Sequence, residues 1–315
     1  MRSWPQIPAR RRWRNFLLSG FALVAVMEAT LFTLVGCKVM IPAELRRIQA
    51  RLEKRAEKFE RENPTAFHTY KSGTRTMRFV ETGARDAKPL VIFIHGSPGD
   101  WRGWVEFLTD PDLTARPHLI AVDRPGFGGS GAGRAERSLT QQCRDIAPLL
   151  DRASPGQRVV LVGHSFGGPV ACRLAIEHPH QVTDLIVLAG SIDPVQEKTK
   201  WYQYPAEWAI IRWMVPDELV TANREIRALK AGLTEMLPLW PNIHQRVTVI
   251  QGEADTLVPP ANADFAQRTM TNAEPLDIIR IPRMNHFLPW KHFDLIKDAI
   301  LKHIGLPSSD QHPPP

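Results

Sequence analysis

Residues 159–168 read Val159-Val160-Leu161-Val162-Gly163-His164-Ser165-Phe166-Gly167-Gly168. Four consecutive apolar residues, three of them β-branched, run directly into a G-x-S-x-G pentapeptide, and Phe166–Glu177 then continues with helical apolar spacing. A buried strand therefore turns sharply into a helix with Ser165 at the apex. That context lifts a nucleophilic serine above the edge of a sheet. Gly163 and Gly167 keep the flanks of the turn free of Cβ atoms. The helix N-terminus beside Ser165 favours negative charge there. The pentapeptide alone also occurs as a plain Gly/Ser turn, so the strand before it and the helix after it carry the reading.

Working outward, Arg75–Glu81 reads as a strand of an early hairpin. Short β-rich runs follow at Leu90–Ile94, Leu119–Val122, Val159–Val162, Leu185–Leu188, Val247–Ile250 and Ile278–Ile281. Most are continuously apolar, as strands buried on both faces are. Helical patterns separate them, as at Ser138–Asp151, Phe166–Glu177 and Asn262–Met270. This alternation predicts an α/β fold with a mostly parallel sheet and helices on both faces. Functional loops in such sheets gather at the C-terminal ends of the strands. The interval 191–246 breaks the rhythm and carries Trp201, Tyr202, Tyr204, Trp208, Trp213 and Trp240. It reads as a short helical insertion covering the functional edge like a lid. Residues 307–315 read as a disordered tail.

A nucleophilic serine needs a base, and eleven histidines compete. His164 adjoins Ser165 in a tight turn and points elsewhere. His95 opens a separate loop and reads as structural. His178, His180, His292, His303 and His312 lie in or near helix ends or the tail, where surface positions are the default. His286 follows the last strand, in Ile281-Pro282-Arg283-Met284-Asn285-His286-Phe287, and its loop falls at the same sheet edge as Ser165. The acid that orients a base of this kind is assigned to Asp255, just past the strand Val247–Ile250. Asp193, after the preceding strand, is the alternative, and Glu253 reads as structural. An oxyanion hole needs two preorganised N–H groups. Phe166 supplies one, and the loop His95-Gly96-Ser97-Pro98-Gly99 supplies the other through Ser97, since Pro98 has no N–H.

These pieces together resemble the α/β-hydrolase superfamily. The resemblance is carried by His95-Gly96-Ser97-Pro98-Gly99, Asp123-Arg124-Pro125-Gly126-Phe127-Gly128-Gly129-Ser130, Gly163-His164-Ser165-Phe166-Gly167-Gly168, the Asp255 loop and Asn285-His286-Phe287. The chain order Ser165, Asp255, His286 is the order that superfamily uses. The resemblance makes the segment at Asp123 a structural loop beside the active site. It implies a hydrolase domain over 67–306, acting on a small-molecule ester or related acyl substrate through an acyl-enzyme. Serine esterases, C–C bond hydrolases and cofactor-free haloperoxidases are the nearest in flavour. Epoxide hydrolases and haloalkane dehalogenases share the loops but use an aspartate nucleophile, and Ser165 stands against both. Acyl transfer on the same triad is an alternative. A non-catalytic, membrane-tethered binding protein is a further one, against which the complete set Ser165, Asp255 and His286 speaks. No cofactor and no metal are expected.

The 315-residue chain carries 40 Lys+Arg against 33 Asp+Glu, a net +7. Residues 1–62 hold 13 Lys+Arg and 6 Asp+Glu, which accounts for all of it, and residues 63–315 hold 27 of each. The basic balance therefore says nothing about the substrate. With no basic stripe interleaved with aromatics in the body, no nucleic-acid partner is expected. Five arginines within residues 2–14 precede Phe16–Gly36, a run whose one charge is Glu28. This is the layout of a secretory signal over residues 1–36. Leu34-Val35-Gly36-Cys37 resembles the lipobox of bacterial lipoproteins, which would make Cys37 the lipidated first residue. An uncleaved anchor is the alternative, since the run would span about 30 Å as a helix. Either reading tethers the protein to membrane lipid with the catalytic domain on the periplasmic side. Residues 37–66 read as a membrane-proximal linker built on an amphipathic helix Ala43–Glu62, with Leu45, Ile48, Leu52 and Phe59 on one stripe and a Glu57–Arg61 pair. Cys143 and Cys172 read as buried thiols.

Overall fold

The computed structural model describes residues 43–83, 89–198 and 215–305. The segment 1–36, Cys37, the aromatic stretch Trp201–Trp213 and the tail 307–315 lie outside the described residues. The chain divides into two compact units, residues 1–51 and 52–315. The described part of the first is the opening of helix α1 (Ala43–Glu62).

The second unit is built on one eight-stranded sheet in the order β1-β2-β4-β3-β5-β6-β7-β8. Its strands are β1 (Phe67–Ser72), β2 (Arg75–Thr82), β3 (Leu90–Ile94), β4 (His118–Val122), β5 (Val159–His164), β6 (Asp184–Leu188), β7 (Arg246–Gly252) and β8 (Leu276–Ile281). The β1–β2 hairpin and the β2–β4 pairing are antiparallel, and every pairing from β4 to β8 is parallel. The expected strands are all present. β5 runs two residues past the expected end, because Gly163 and His164 still pair with Val187 and Leu188.

β3, β4, β5 and β6 are buried along their whole lengths, as their continuous apolar runs require. Alternate side chains serve opposite faces. Leu90, Ile92 and Ile94 join a core with α4 (Leu139–Ile146), α5 (Gly167–Glu177) and α6 (Asp217–Met236). Phe93 points the other way, against Trp104 and Phe107 with ring centroids 4.9 and 5.5 Å distant, and Phe107 meets Phe293 at 4.6 Å. Phe93, Trp104 and Phe107, each fully buried, stabilise the fold by roughly 1.5–3 kcal/mol apiece.

Within residues 52–62, α1 lies on the domain through Leu52, Ala56 and Phe59, and Phe59 packs on Phe67 and Trp101. Arg55 Nε donates to Thr109 Oγ1 at 2.9 Å, and Arg102 pairs with Glu60 at 3.2 Å. Lys58 and Glu62 form an i,i+4 ion pair on this helix (3.8 Å), while the expected Glu57–Arg61 pair is not among the ion pairs of the described residues. Among the described residues no helix is long and apolar enough to cross a membrane.

Within the interval 191–246 the described residues 191–198 form a loop and 217–242 are helical, and α6 has a second role besides any cover. Leu229, Leu233 and Met236 are buried in the central core, and Gly232 sits against Leu139 of α4. His303 departs from the expected surface position. It ends α9 (Phe293–His303), is buried, and bonds through Nδ1 to Asp184 Oδ1 (2.9 Å) and through Nε2 to Thr248 Oγ1 (2.8 Å). The carboxylate at the start of β6 draws the helix end inward. Cys143 and Cys172 are free and buried, and burial pushes both thiols up from their ordinary pKa.

Candidate active site

Ser165 stands between β5 and α5 with φ +54°, a left-handed conformation that a side chain other than glycine seldom adopts. Its N–H donates to Leu188 O (2.9 Å), and its carbonyl accepts from Gly168 N–H (2.9 Å) and Ser191 N–H (3.2 Å). The turn is held on three sides by backbone. A Cβ on Gly163 would fall 2.4 Å from Gly167 O, and one on Gly167 would fall 2.1 Å from Ile94 O. Only glycine fits at either place, so the G-x-S-x-G spacing is a packing requirement as well as a conformational one. The three described non-glycine residues with left-handed φ are Ser165, Ala189 and Arg283. All follow the C-terminal ends of strands, β5, β6 and β8, and backbone strain of this kind gathers at functional sites.

The loop after β7 carries Asp255, and the loop after β8 carries His286. They are joined by backbone hydrogen bonds from Glu253 N to Ile281 O (3.0 Å) and from Ala254 N to Met284 O (2.9 Å). Asp255 Oδ1 accepts the N–H groups of Leu257 and Val258, both at 2.9 Å. Its other oxygen, Oδ2, accepts from His286 Nδ1 at 2.7 Å. Both residues are buried. With Nδ1–H given to the carboxylate, His286 presents Nε2 as a lone pair.

His164 is turned away from the hydroxyl it adjoins in sequence. Its Nε2 donates to the carbonyl of His286 (3.1 Å), and its ring lies 4.9 Å from the His286 ring and 5.4 Å from that of Trp290. Burial, with the nearby His286 adding to it, pulls its pKa down to about 3, so it stays neutral and braces the His286 loop. His95 is likewise buried and neutral, its pKa lowered first by burial and then by Arg124. Its Nδ1 donates to Gly96 O (2.7 Å) and its Nε2 accepts from Arg124 N–H (2.9 Å). Asp193 is occupied by its own turn, accepting from Val195 N–H at 2.9 Å, while Asp255 holds His286.

The loop after β3 closes on the serine. A Cβ on Gly96 would lie 2.9 Å from the Cβ of Ser165, so Ser97 enters the site directly beside it. Phe166 stands at the N-cap position of α5, with no side-chain cap. Among the described residues its N–H donates to no acceptor. The structure thus brings Ser165, Phe166, the Ser97 loop, Asp255 and His286 to one sheet edge.

Sequence reasoning passed over three groups here. Asn262 Oδ1 accepts the N–H groups of Ile192 (2.8 Å) and Asp193 (2.9 Å), tying the loop after β6 to α7 (Ala261–Thr269). The Ser191 hydroxyl donates to Glu197. Burial, with the charge of Asp193 adding to it, raises the Glu197 carboxyl above the usual range. The third is a buried network centred on Arg124. Its motif was visible, but its partner Glu225 lies 101 residues downstream.

A sequence profile described as alpha/beta hydrolase fold matches residues 89–219. Epoxide hydrolase 3 of Xenopus tropicalis is 34% identical over 208 residues, 61% of this chain and 55% of that protein. The 1-acylglycerol-3-phosphate O-acyltransferase of Arabidopsis thaliana is 30% identical over 189 residues, 57% of this chain and 43% of that protein. Matches of this kind span between about a quarter and just over half of the curated relatives' lengths. Among solved structures, a membrane phospholipase A described as a bacterial virulence factor superposes with a TM-score of 0.56 at 19% identity, covering 92% of this chain and 99% of that one.

Proposed function

We propose that this chain, an α/β hydrolase by fold, is a serine hydrolase that cleaves carboxylic esters through an acyl-enzyme. The observation that carries the reading is the 2.7 Å pairing of His286 Nδ1 with Asp255 Oδ2 at the sheet edge where Ser165 is held in its strained turn. Ser165 Oγ attacks the carbonyl carbon, and its proton passes to His286 Nε2. Asp255 fixes the tautomer that leaves Nε2 free and stabilises the imidazolium. The N–H groups of Phe166 and Ser97 receive the oxyanion. Collapse breaks the C–O bond, and His286 gives its proton to the leaving alcohol. A water then attacks the acyl-enzyme as His286 takes its proton, and the acid leaves with Ser165 restored.

A serine stands where epoxide hydrolases use an aspartate, which favours ester cleavage over epoxide opening despite the identity to relatives of that name. The relatives named as acyltransferases support a second reading, in which an alcohol or amine replaces water at the last step. A panel of p-nitrophenyl esters of graded chain length, read with wild type and Ser165→Ala, tests the first reading. Turnover should fall by several orders of magnitude in the variant, and turnover surviving Ser165→Ala would sink it. Competing acceptors in the same assay separate hydrolysis from transfer.

We further infer that the domain works outside the cytoplasm, tethered through lipid on Cys37. The support is the Arg-rich start, the apolar run and the Leu34–Cys37 tetrapeptide. Intact mass of the membrane-extracted protein should begin at a lipidated Cys37. A mass beginning at Met1 would overturn it.

A further inference from the structure

Arg124, in the glycine-rich segment after β4, has no part in the triad, yet it is fully buried. Its guanidinium uses its donors in two directions. Towards α6, Nη1 and Nη2 grip the two carboxylate oxygens of Glu225 at 2.8 Å each, and Nη1 also donates to Gln142 Oε1 at 2.8 Å. Towards the serine, Nε donates to His95 O (2.8 Å) and Nη2 to Gly96 O (2.9 Å). The cation also lies 4.5 Å from the ring centroid of Phe166 and 5.0 Å from that of Phe127.

A buried ion pair costs desolvation and by itself says little about stability. What the second set of bonds holds is the informative part. Gly96 O belongs to the same peptide unit as the Ser97 N–H. In a trans peptide the two point in opposite directions from one plane. Two donors clamp that oxygen, Arg124 Nη2 and His95 Nδ1 at 2.7 Å. Fixing the oxygen fixes the direction of the N–H. A cation on the oxygen also polarises the amide and makes its N–H a stronger donor. The same guanidinium packs against Phe166, whose N–H is the other donor.

We propose that Arg124 is a positioning residue for the oxyanion hole. It orients and polarises the Gly96–Ser97 peptide so that the Ser97 N–H is aimed at the developing oxyanion, and Glu225 and Gln142 hold its guanidinium in place. This rests on the serine-hydrolase reading above.

The test is the full chain carrying Arg124→Met with Glu225→Met. Replacing both charges of a buried pair by apolar side chains is commonly neutral for stability, while the clamp on Gly96 O is lost. Arg124→Lys is read in parallel and decides alone if the double variant does not fold. It keeps a cation opposite Glu225 but cannot reproduce the planar fork. Ester turnover is normalised to sites counted by complete fluorophosphonate labelling, and inhibition by an alkyl trifluoromethyl ketone is measured beside it. That ketone adds Ser165 Oγ at its carbonyl carbon and places an oxyanion in the hole.

Removing one oxyanion donor outright costs about 10²–10³ in kcat, so a misdirected one should cost about 10–100-fold. KM should stay within about threefold, because the hole acts on the transition state. The inhibition constant of the ketone should rise by the same factor as kcat falls. A residue that merely stabilised the fold would lower the melting temperature or the labelled fraction and leave both per-site values unchanged. Folded variants keeping kcat and the ketone constant within about threefold of wild type would overturn the proposal. So would a fall in kcat without the matching rise in the ketone constant. Ser165→Ala in the same assay separates the two claims, since turnover surviving it defeats the serine-hydrolase reading itself.

Discussion

Asp255→Asn isolates the part of the triad that geometry makes most explicit. The wild-type carboxylate divides its oxygens, Oδ1 to the N–H groups of Leu257 and Val258 and Oδ2 to His286 Nδ1. An asparagine has one oxygen and one NH2, and must choose. Turning the NH2 towards the two backbone donors leaves both without an acceptor, at about 1–3 kcal/mol each for a buried group. Keeping the oxygen there points the NH2 at His286 Nδ1. His286 must then carry its proton on Nε2 and cannot take one from Ser165. The second arrangement wins by about 2–6 kcal/mol, a population ratio of about 30 to 3 × 10⁴. The loss of carboxylate support for the imidazolium adds to this. The expected fall in kcat is about 10³–10⁴-fold, with KM little changed and the fold intact. Ester turnover with circular dichroism and a melting curve on the same preparation measures it. A folded Asp255→Asn enzyme within tenfold of wild-type kcat would refute the assignment. So would the loss appearing in Asp193→Asn instead.

Two further outcomes follow from the packing and the titration of the site. Gly167→Ala drives a Cβ to 2.1 Å from Ile94 O and 2.8 Å from His95 O, backbone that cannot swing aside. Urea denaturation should show a loss above about 3 kcal/mol, beyond the usual overpacking range. Gly156→Ala, with φ +79° and nothing within 4 Å, should cost only about 1–2 kcal/mol; equal losses would contradict the account of the turn. His164 stays neutral in the fold down to about pH 3, while in the unfolded chain it takes a proton below about pH 6.5. The unfolded state therefore binds the extra proton between these values, and stability falls with falling pH there by about 1.4 kcal/mol per pH unit. His164→Gln should flatten the stability–pH curve by that slope between pH 6 and 4, and an unchanged curve would show that His164 titrates normally in the fold.

The features that sequence displayed best are those with local causes. Leu90–Ile94 is continuously apolar because β3 is buried on both faces, and its bounds follow directly. The turn at Ser165 announces itself because two glycines are required within five residues by contacts to β3 and α5. Residues whose environment is made by distant chain were harder to place. His303 ends a helix, where exposure is the ordinary expectation, and its burial is explained by Asp184, 119 residues earlier, together with Thr248. Arg124 sits in a visible motif, but its role depends on Glu225 in a helix that sequence showed only as part of an aromatic insertion. That same helix packs its second half into the core through Leu229, Leu233 and Met236. Spacing could mark Asp255 and Asp193 as rival acids. Sequence placed Asp255 first and Asp193 second, and the hydrogen bond that joins Asp255 to His286 is a property of the folded loops.

The central claim is that Ser165 becomes acylated during turnover. Rapid acid quench of wild type with excess p-nitrophenyl ester, followed by peptide mass analysis, tests it most directly. The peptide bearing Ser165 should gain the mass of the acyl group within the burst of p-nitrophenol, and Ser165→Ala should show neither burst nor adduct. Turnover without an adduct on that peptide, or an adduct on another residue that persists in Ser165→Ala, would contradict it.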